Sequence, residues 1–400
     1  MSMQWLHADR AIIGDGKTVL SPVWVGIQGA TLKFVSNQPP GLSTPENTRS
    51  LKDVTLCPGL LNLHDHISRK GLRDGKSALS FTDRATIFMQ EDSHYLLLHS
   101  VSNARNALLR EGITFMRDFG LAGYTSIHLR RGIREGLIIG PEISTCGRPI
   151  CMTGGHTYRQ SHEADGPEAI QAAVRAELKA GADIKKFMAS GGIERFPGED
   201  PHLAELTEAE LRAGVETAHE AGVMTSAHTF PAKAILNVIR AGVDVVEHGV
   251  LMNDQCVKEM IDHGTCLVPT LTWLRAIARL LPDTPENDLL RQALEERIYA
   301  PHEESVRKAI SNGIPVGTGT DSIGHLHEEI QLIARIMNYT PVQALAHATS
   351  ISAKIARRED LGLLKEGLRA HLVAFRGDLT RSLDPLREVV CVWKDGRLCS

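Results

Sequence analysis

The chain has 400 residues, 42% of them hydrophobic and 23% charged, which is ample for a packed core and excludes wholesale disorder. Its 44 Lys and Arg nearly balance 48 Asp and Glu, giving a formal net charge of -4, so neither a nucleic acid nor an anionic membrane is an expected partner. No apolar run reaches the roughly 18 residues of a membrane helix, the N-terminal residues predict no secretory signal, and seven scattered cysteines read as reduced thiols in a cytoplasmic protein.

Residues 5–36 are rich in β-formers, with turn signals at Gly14–Asp15–Gly16 and Gly29, and 39–46 is a Pro/Ser/Thr-rich loop. A first core strand is expected over 55–63. From there one signature recurs: a helical pattern ends in Gly, and a short apolar run ending in a polar residue follows. It occurs at Gly112 (GITFMRD), Gly181 (GADIKKF), Gly222 (GVMTSAH), Gly242 (GVDVVEH), Gly264 (GTCLVPT) and Gly313 (GIPVGTGTD), with a weaker copy at 140–146. Each Gly fits a helix C-cap, and each run fits a strand buried on both faces. Helical patterns fill 92–110, 167–180, 207–221, 231–241, 254–263 and 289–312. Strand–helix alternation repeated about eight times predicts an α/β fold, a distorted (β/α)8 TIM barrel over 58–350, rather than an open doubly wound sheet. Neither GxGxxG nor GxxxxGK[ST] is present. Strands at 371–375 and 389–394, with a hairpin turn at Asp395–Gly396, close the chain. With the N-terminal strands they predict a small β-sandwich domain built from both termini, 1–57 and 351–400.

Barrel enzymes place their chemistry at the C-terminal strand ends. Those ends carry His64–Asp65–His66, Arg117–Asp118, Lys185–Lys186, His228, His248, Thr270 and Asp321. In His64-x-His66 the period of two sends both imidazoles to one side of the strand, where they can share a metal ion. Such a pair alone is weak evidence, because it also suits two partly buried polar residues. Two more histidines at equivalent strand ends, and a carboxylate at Asp321, make that bland reading hard to sustain. Lys186 lies in an apolar strand, where a charged amine is costly. Burial lowers its pKa, and the neutral amine can take up carbon dioxide as a carbamate able to bridge two metals. Lys185 points the opposite way and is expected to snorkel outward.

These segments resemble the amidohydrolase superfamily, in its imidazolonepropionase-like and prolidase-like branch. The resemblance is carried by PGLLNLHDH (58–66), GITFMRDFG (112–120), RPICMTGGH (148–156), GADIKKFMASGG (181–192) and PGEDP (197–201). It continues through HEAGVMTSAH (219–228), AGVDVVEHG (241–249), GTGTD (317–321) and LGLLKEGLRAHLVAF (361–375). It implies two divalent metal ions, zinc first, with manganese and cobalt also accepted by these donors. His64, His66 and Asp321 would bind the more buried ion and His228 and His248 the second, with carboxylated Lys186 between them. The spacing from the lysine to the small-Gly-Gly turn selects Lys186 over Lys185. The loop at Thr153–His156 resembles the family's substrate loop, so His156 is expected at a substrate carboxylate or carbonyl, with Tyr158, Arg159 and Arg195 as further anion-binding candidates. The chain departs from the family at Asn62, at Phe230, where a substrate-binding Tyr is common, and at His371. His94, His99, His263, His302 and His347 are expected on helix surfaces, and His325 and His327 near the mouth of the site.

The resemblance implies a binuclear amidohydrolase that cleaves a dipeptide or N-acyl amino acid through a metal-bridging hydroxide. Asp321 would be the proton carrier and His156 the substrate-side group. Aryl amides, carbamates or ureas are an alternative that Phe230 favours slightly. An imidazolonepropionase-like cyclic amide hydrolase is another, against which Lys186 counts, and a non-catalytic scaffold would have lost ligands that are all present. Similar proteins are commonly homo-oligomers.

Overall fold

The computed structural model describes residues 2–41, 44–68, 92–120, 122–193 and 200–399. Local chemistry sets the helices. Pro167–Ala180 starts with Pro in its first turn and ends at Gly181 with φ 106°. Glu208–Glu220 opens with a capping box between Thr207 and Glu210. The six signature glycines, at 112, 181, 222, 242, 264 and 313, all have positive φ, so each helix stops where the left-handed region lets the chain turn back into a strand.

The strands that follow are parallel. One six-stranded sheet runs His162–Glu163, Ile150–Cys151, Ile184–Met188, Met224–Pro231, Val245–Leu251, Cys266–Val268. A three-stranded sheet runs Leu60–Asp65, Ile113–Asp118, Glu142–Thr145. The extended stretch 315–321 lies between them. The N–H of Leu267 donates to Pro315 O (3.0 Å) and that of Gly317 to Leu267 O (2.9 Å), while Leu63 N–H donates to Thr318 O (2.8 Å) and Thr320 N–H to His64 O (2.9 Å). At the other edge, Asp183 N–H donates to Thr145 O (2.7 Å). The helix layer packs through residues such as Ile170, Val174, Leu211, Val215 and Val238 against Ile150, Phe187 and Ala227. Full burial of a side chain such as Phe187 contributes about 1.5–3 kcal/mol.

Strands from both termini join in one eight-stranded sheet, Arg397–Leu398, Val389–Lys394, Leu372–Arg376, Thr48–Pro58, Gln4–Ile12, Val23–Gln28 and Thr31–Ser36, with Val19–Leu20 beside Gln4–Ile12. Its core includes Leu6, Val25, Ile27, Leu56, Leu372 and Trp393. The strand expected over 55–63 is two strands that break at Gly59: Thr48–Pro58 belongs to the terminal sheet and Leu60–Asp65 to the core. Gly59 has no room for a side chain, since a Cβ there would lie 2.2 Å from Thr114 Oγ1. The helix expected over 289–312 is likewise interrupted, with a π-turn at Glu295–Tyr299 between Pro285–Leu294 and Ala300–Ser311. Pro301 has no N–H for the helical ladder, and the chain widens by one residue just before it. All seven cysteines are free thiols.

Candidate active site

Each functional side chain is set by a strand end. His64 lies in Leu60–Asp65 with His66 just beyond it, and Asp321 closes the stretch 315–321. Asn62 ties these segments together. Its amide donates to Asp65 Oδ2 (3.0 Å) and Thr320 Oγ1 (2.7 Å), and its carbonyl accepts from Thr320 N–H (3.2 Å). The departure at Asn62 therefore has a structural use. Among the described residues, His64, His66 and Asp321 bring one donor atom each within 4.8 Å of one another. His64 Nε2 lies 3.6 Å from Asp321 Oδ2, and His66 Nε2 lies 3.9 Å from Oδ1.

Hydrogen bonds set which ring nitrogens face this cluster. His66 Nδ1 is 3.1 Å from Gly120 O, and a carbonyl only accepts, so Nδ1 carries the proton and Nε2 keeps its lone pair. His64 Nδ1 is 2.7 Å from Glu247 Oε2, a buried carboxylate that also accepts from Ser226 Oγ. His228 Nε2 donates to Gly191 O at 3.3 Å, leaving Nδ1 as its donor atom. His248 Nδ1 lies 2.6 Å from Thr270 Oγ1. The His248 ring is 4.9 Å from His64 and 4.7 Å from His228, and His156 stacks on His228 at 4.1 Å. Lys186, fully buried, holds its amine 4.2 Å from the centre of the Phe119 ring.

One cleft is lined by all six residues expected to bind metal, and by His156, Thr157, Met188 and Trp273. Burial dominates its electrostatics. It pushes the Lys186 amine down from its ordinary value and holds His228 and His248 well below theirs, assisted by neighbouring histidines and by Lys186, so both imidazoles are neutral. It pushes Glu247 up to about 7. Backbone strain gathers here as well: His248, Thr270, Asp321 and Thr157 have φ of 65°, 53°, 51° and 54°, a left-handed conformation that non-glycine residues keep only where the surroundings enforce it.

Other expected residues lie elsewhere. Phe230 is fully buried behind the imidazoles, 5.1 Å from the His228 ring and 5.7 Å from that of His248. Tyr158 and Arg159 do not line the cleft; Arg159 Nε donates to Tyr158 OH at 3.1 Å. Arg195 lies outside the described residues. Lys185 does not snorkel outward: it is fully buried, and its amine donates to Cys146 O (2.8 Å) and Arg148 O (3.2 Å). His302 and His347 are not surface residues either. Both are buried, with His302 Nε2 donating to His248 O (2.8 Å) and His347 Nδ1 to Val316 O (2.7 Å). His94 and His263 are exposed. His325 and His327 stack on each other at 5.4 Å and do not line the cleft.

Three acidic residues escaped the sequence reading. Glu247 orients His64. Glu205 accepts the backbone N–H of His156 at 2.8 Å. Glu329 accepts two backbone N–H groups next to Thr270. Only Glu247 had a local signal, a carboxylate inside the apolar run VVEHG, the same signal that singled out Lys186.

Parallel strands with interleaved helices, and a His-x-His pair meeting a distant aspartate at the strand ends, define an α/β protein with a candidate metal centre. The sequence profile of the Amidohydrolase family matches residues 55–399, and the chain belongs to that family. It is a hydrolase of carbon–nitrogen bonds, in a family whose members are generally metal-dependent. An ochratoxinase from Aspergillus niger is 26% identical over 444 aligned positions, covering 98% of this chain and 86% of the relative. A Xaa-Pro dipeptidase crystallised with methionine in its active site superposes with a TM-score of 0.85 at 26% identity, covering 99% of both chains. An imidazolonepropionase from Alkaliphilus metalliredigens is 23% identical, covering 88% of this chain and 83% of the relative. Among the described residues no helix is long and apolar enough to cross a membrane.

Proposed function

We propose that the chain is a binuclear metal-dependent amidohydrolase, a (β/α)8 barrel with a β domain from both termini, that cleaves the amide bond of a dipeptide or N-acyl amino acid. One observation carries the reading: His64, His66, Lys186, His228, His248 and Asp321, from five separate segments, line a single cleft. Neutral imidazoles and a carboxylate suit a divalent ion of the zinc, manganese or cobalt type. His64, His66 and Asp321 would hold one ion and His228 and His248 the other. Lys186, whose amine burial pushes below its ordinary value, would serve both as a carbamate formed with carbon dioxide.

Bound there, the ions lower the pKa of water toward 7 and polarise the substrate carbonyl. The chain's own groups do the rest. Glu247 and the Gly120 carbonyl keep Nε2 of His64 and of His66 turned to the site. Asp321 takes the proton from the attacking water and delivers it to the leaving nitrogen, which departs poorly as an anion. His156, in the cleft wall, pairs with the substrate carboxylate. The structural neighbour named as a Xaa-Pro dipeptidase, and a 26%-identical prolidase crystallised with N-methylphosphonate-L-proline, favour a substrate derived from amino acids.

Metal analysis of the purified protein, followed by a screen of dipeptides, N-acyl amino acids and aryl carbamates, tests the reading. Two ions per chain and turnover of the first two classes are expected. One ion per chain overturns the binuclear centre, and turnover confined to aryl carbamates overturns the substrate class.

A further inference from the structure

Helix Leu271–Leu280 begins in an unusual way. Its first residue is preceded by Thr270, a type of residue that ordinarily caps a helix by accepting one of its free N–H groups. Thr270 makes no such cap, and its hydroxyl lies 2.6 Å from His248 Nδ1. The capping comes from a distant helix, Leu326–Met337. There the fully buried Glu329 accepts the N–H of Leu271 with one carboxylate oxygen (3.0 Å) and that of Thr272 with the other (2.8 Å). Thr270 itself has φ 53°, an unfavourable conformation for a β-branched residue. A single carboxylate therefore satisfies the helix start, holds a strained turn and leaves the threonine hydroxyl for the histidine.

We propose that Glu329 is a positioning residue for His248: by capping the helix in place of Thr270, it commits the Thr270 hydroxyl to the imidazole and fixes the ring. The proposal rests on the reading of His248 as a ligand of the second ion. With Nδ1 bonded to Thr270, Nε2 of His248 is left to face the ion. The same helix start carries Trp273 into the cleft wall, its backbone N–H donating to Thr270 O at 3.2 Å. When Glu329 is lost, the Thr270 hydroxyl turns back to cap its own helix and His248 loses its partner.

The test uses Glu329→Gln, whose amide accepts only one of the two N–H groups, and Thr270→Val, which keeps the branched shape without the hydroxyl. Chelator competition measures the affinity of each zinc ion, with His248→Ala as the reference. Nitrogen NMR of the metal-free protein reads the His248 tautomer, assigned from the signal lost in His248→Ala. Each variant should weaken the second ion by about 10–100-fold, the usual scale for loss of a group that orients a ligand. The first ion should bind as in wild type, and the Nδ1–H tautomer expected of wild type should be lost. The double variant should be no worse than Thr270→Val alone. Wild-type affinity and tautomer in Glu329→Gln, a lowered Tm alone, or effects that add in the double variant would each overturn the proposal. A tautomer that shifts in Glu329→Gln while wild type binds a single ion supports the positioning role and counts against the binuclear reading instead. Should Glu329→Gln fail to fold, Glu329→Asp, which keeps both oxygens one methylene short, takes its place under the same criteria.

Discussion

Lys185 and Lys186 are adjacent on one strand and both fully buried, yet their amines meet different surroundings. That of Lys186 faces the cleft, while that of Lys185 bonds two carbonyls at the end of the neighbouring strand and is held down to about 8 by burial. Lys186→Ala should lose at least one metal ion and most activity with little change in folding. Lys185→Ala leaves the buried Cys146 carbonyl without its donor, at about 1–3 kcal/mol, and the half-buried Arg148 carbonyl loses a bond too, so it should lower stability while metal content holds. Metal analysis beside urea denaturation separates the two, and metal loss in Lys185→Ala would reverse the assignment. Asp321→Asn keeps size and removes the proposed proton carrier, so kcat should fall about 10²-fold or more, with near-normal kcat arguing for a different base. For His156→Ala, kcat/KM should drop roughly 10–100-fold on free-acid substrates and much less on their C-terminal amides; equal losses on both would exclude carboxylate recognition. The strand-end residues were legible because ligand type, period-two spacing and an apolar strand are all local properties. Glu329 and Glu205 were not, because acidic residues in helices and loops are ordinary and only the folded chain brings them to Thr270 and His156.

At the scale of elements, the Gly-then-strand rhythm was read correctly because helix stops are decided by backbone conformation. What those glycines contribute varies with their neighbours. Gly222 has φ 72° and open space around it, so Gly222→Ala should meet only the left-handed penalty of about 1–2 kcal/mol. Gly112 has φ 70°, and a Cβ there would lie 2.8 Å from Val373 Cγ2, so Gly112→Ala should be clearly the more damaging in urea midpoint. Equal midpoints would mean that the contact relaxes freely. The stretch 315–321 was expected as a full strand, yet it makes one bridge, Leu267 to Val316. Pro315 has no N–H, and Gly317 and Gly319 pack closely without side chains, so the ladder is sparse there. Gly319 shows what that closeness achieves: a Cβ would lie 2.7 Å from His64 Cβ. The break at Gly59 was missed for a similar reason, since the crowding that demands glycine comes from Thr114 on another strand.

Across the whole molecule, a network of ions ties the terminal sheet to the parallel strands. Arg369 pairs with Asp395 in the last hairpin turn and with Glu142 at the start of Glu142–Thr145, both at 2.6 Å. Arg358 joins Glu142 (2.6 Å) to Asp360 (2.7 Å). The hydrogen bond from Arg358 holds Asp360 down to about 2, and His371 and Arg369 hold Asp395 well below the usual carboxylate range. A carboxylate held low in the fold contributes stability above its unfolded pKa of about 3.9, and that contribution disappears as pH falls through the folded value. Below pH 4 the urea midpoint should therefore fall further as these carboxylates take up protons, with a shallower decline over that range in Arg358→Met. An identical decline in that variant would assign the acid sensitivity to other groups. The backbone N–H groups of Thr320 and Asp321 both donate to His64 O, and this has a consequence for synthesis. The histidine pair leaves the ribosome about 250 residues before the aspartate, an interval of roughly 10–50 s at typical elongation rates. Throughout it, the edge of Leu60–Asp65 that will receive 315–321 has no partner, and two of the three donors wait for the third. Nascent chains stopped short of Pro315 should hold metal weakly and remain clients of chaperones, which would make completion of the candidate metal site wait for the emergence of Asp321.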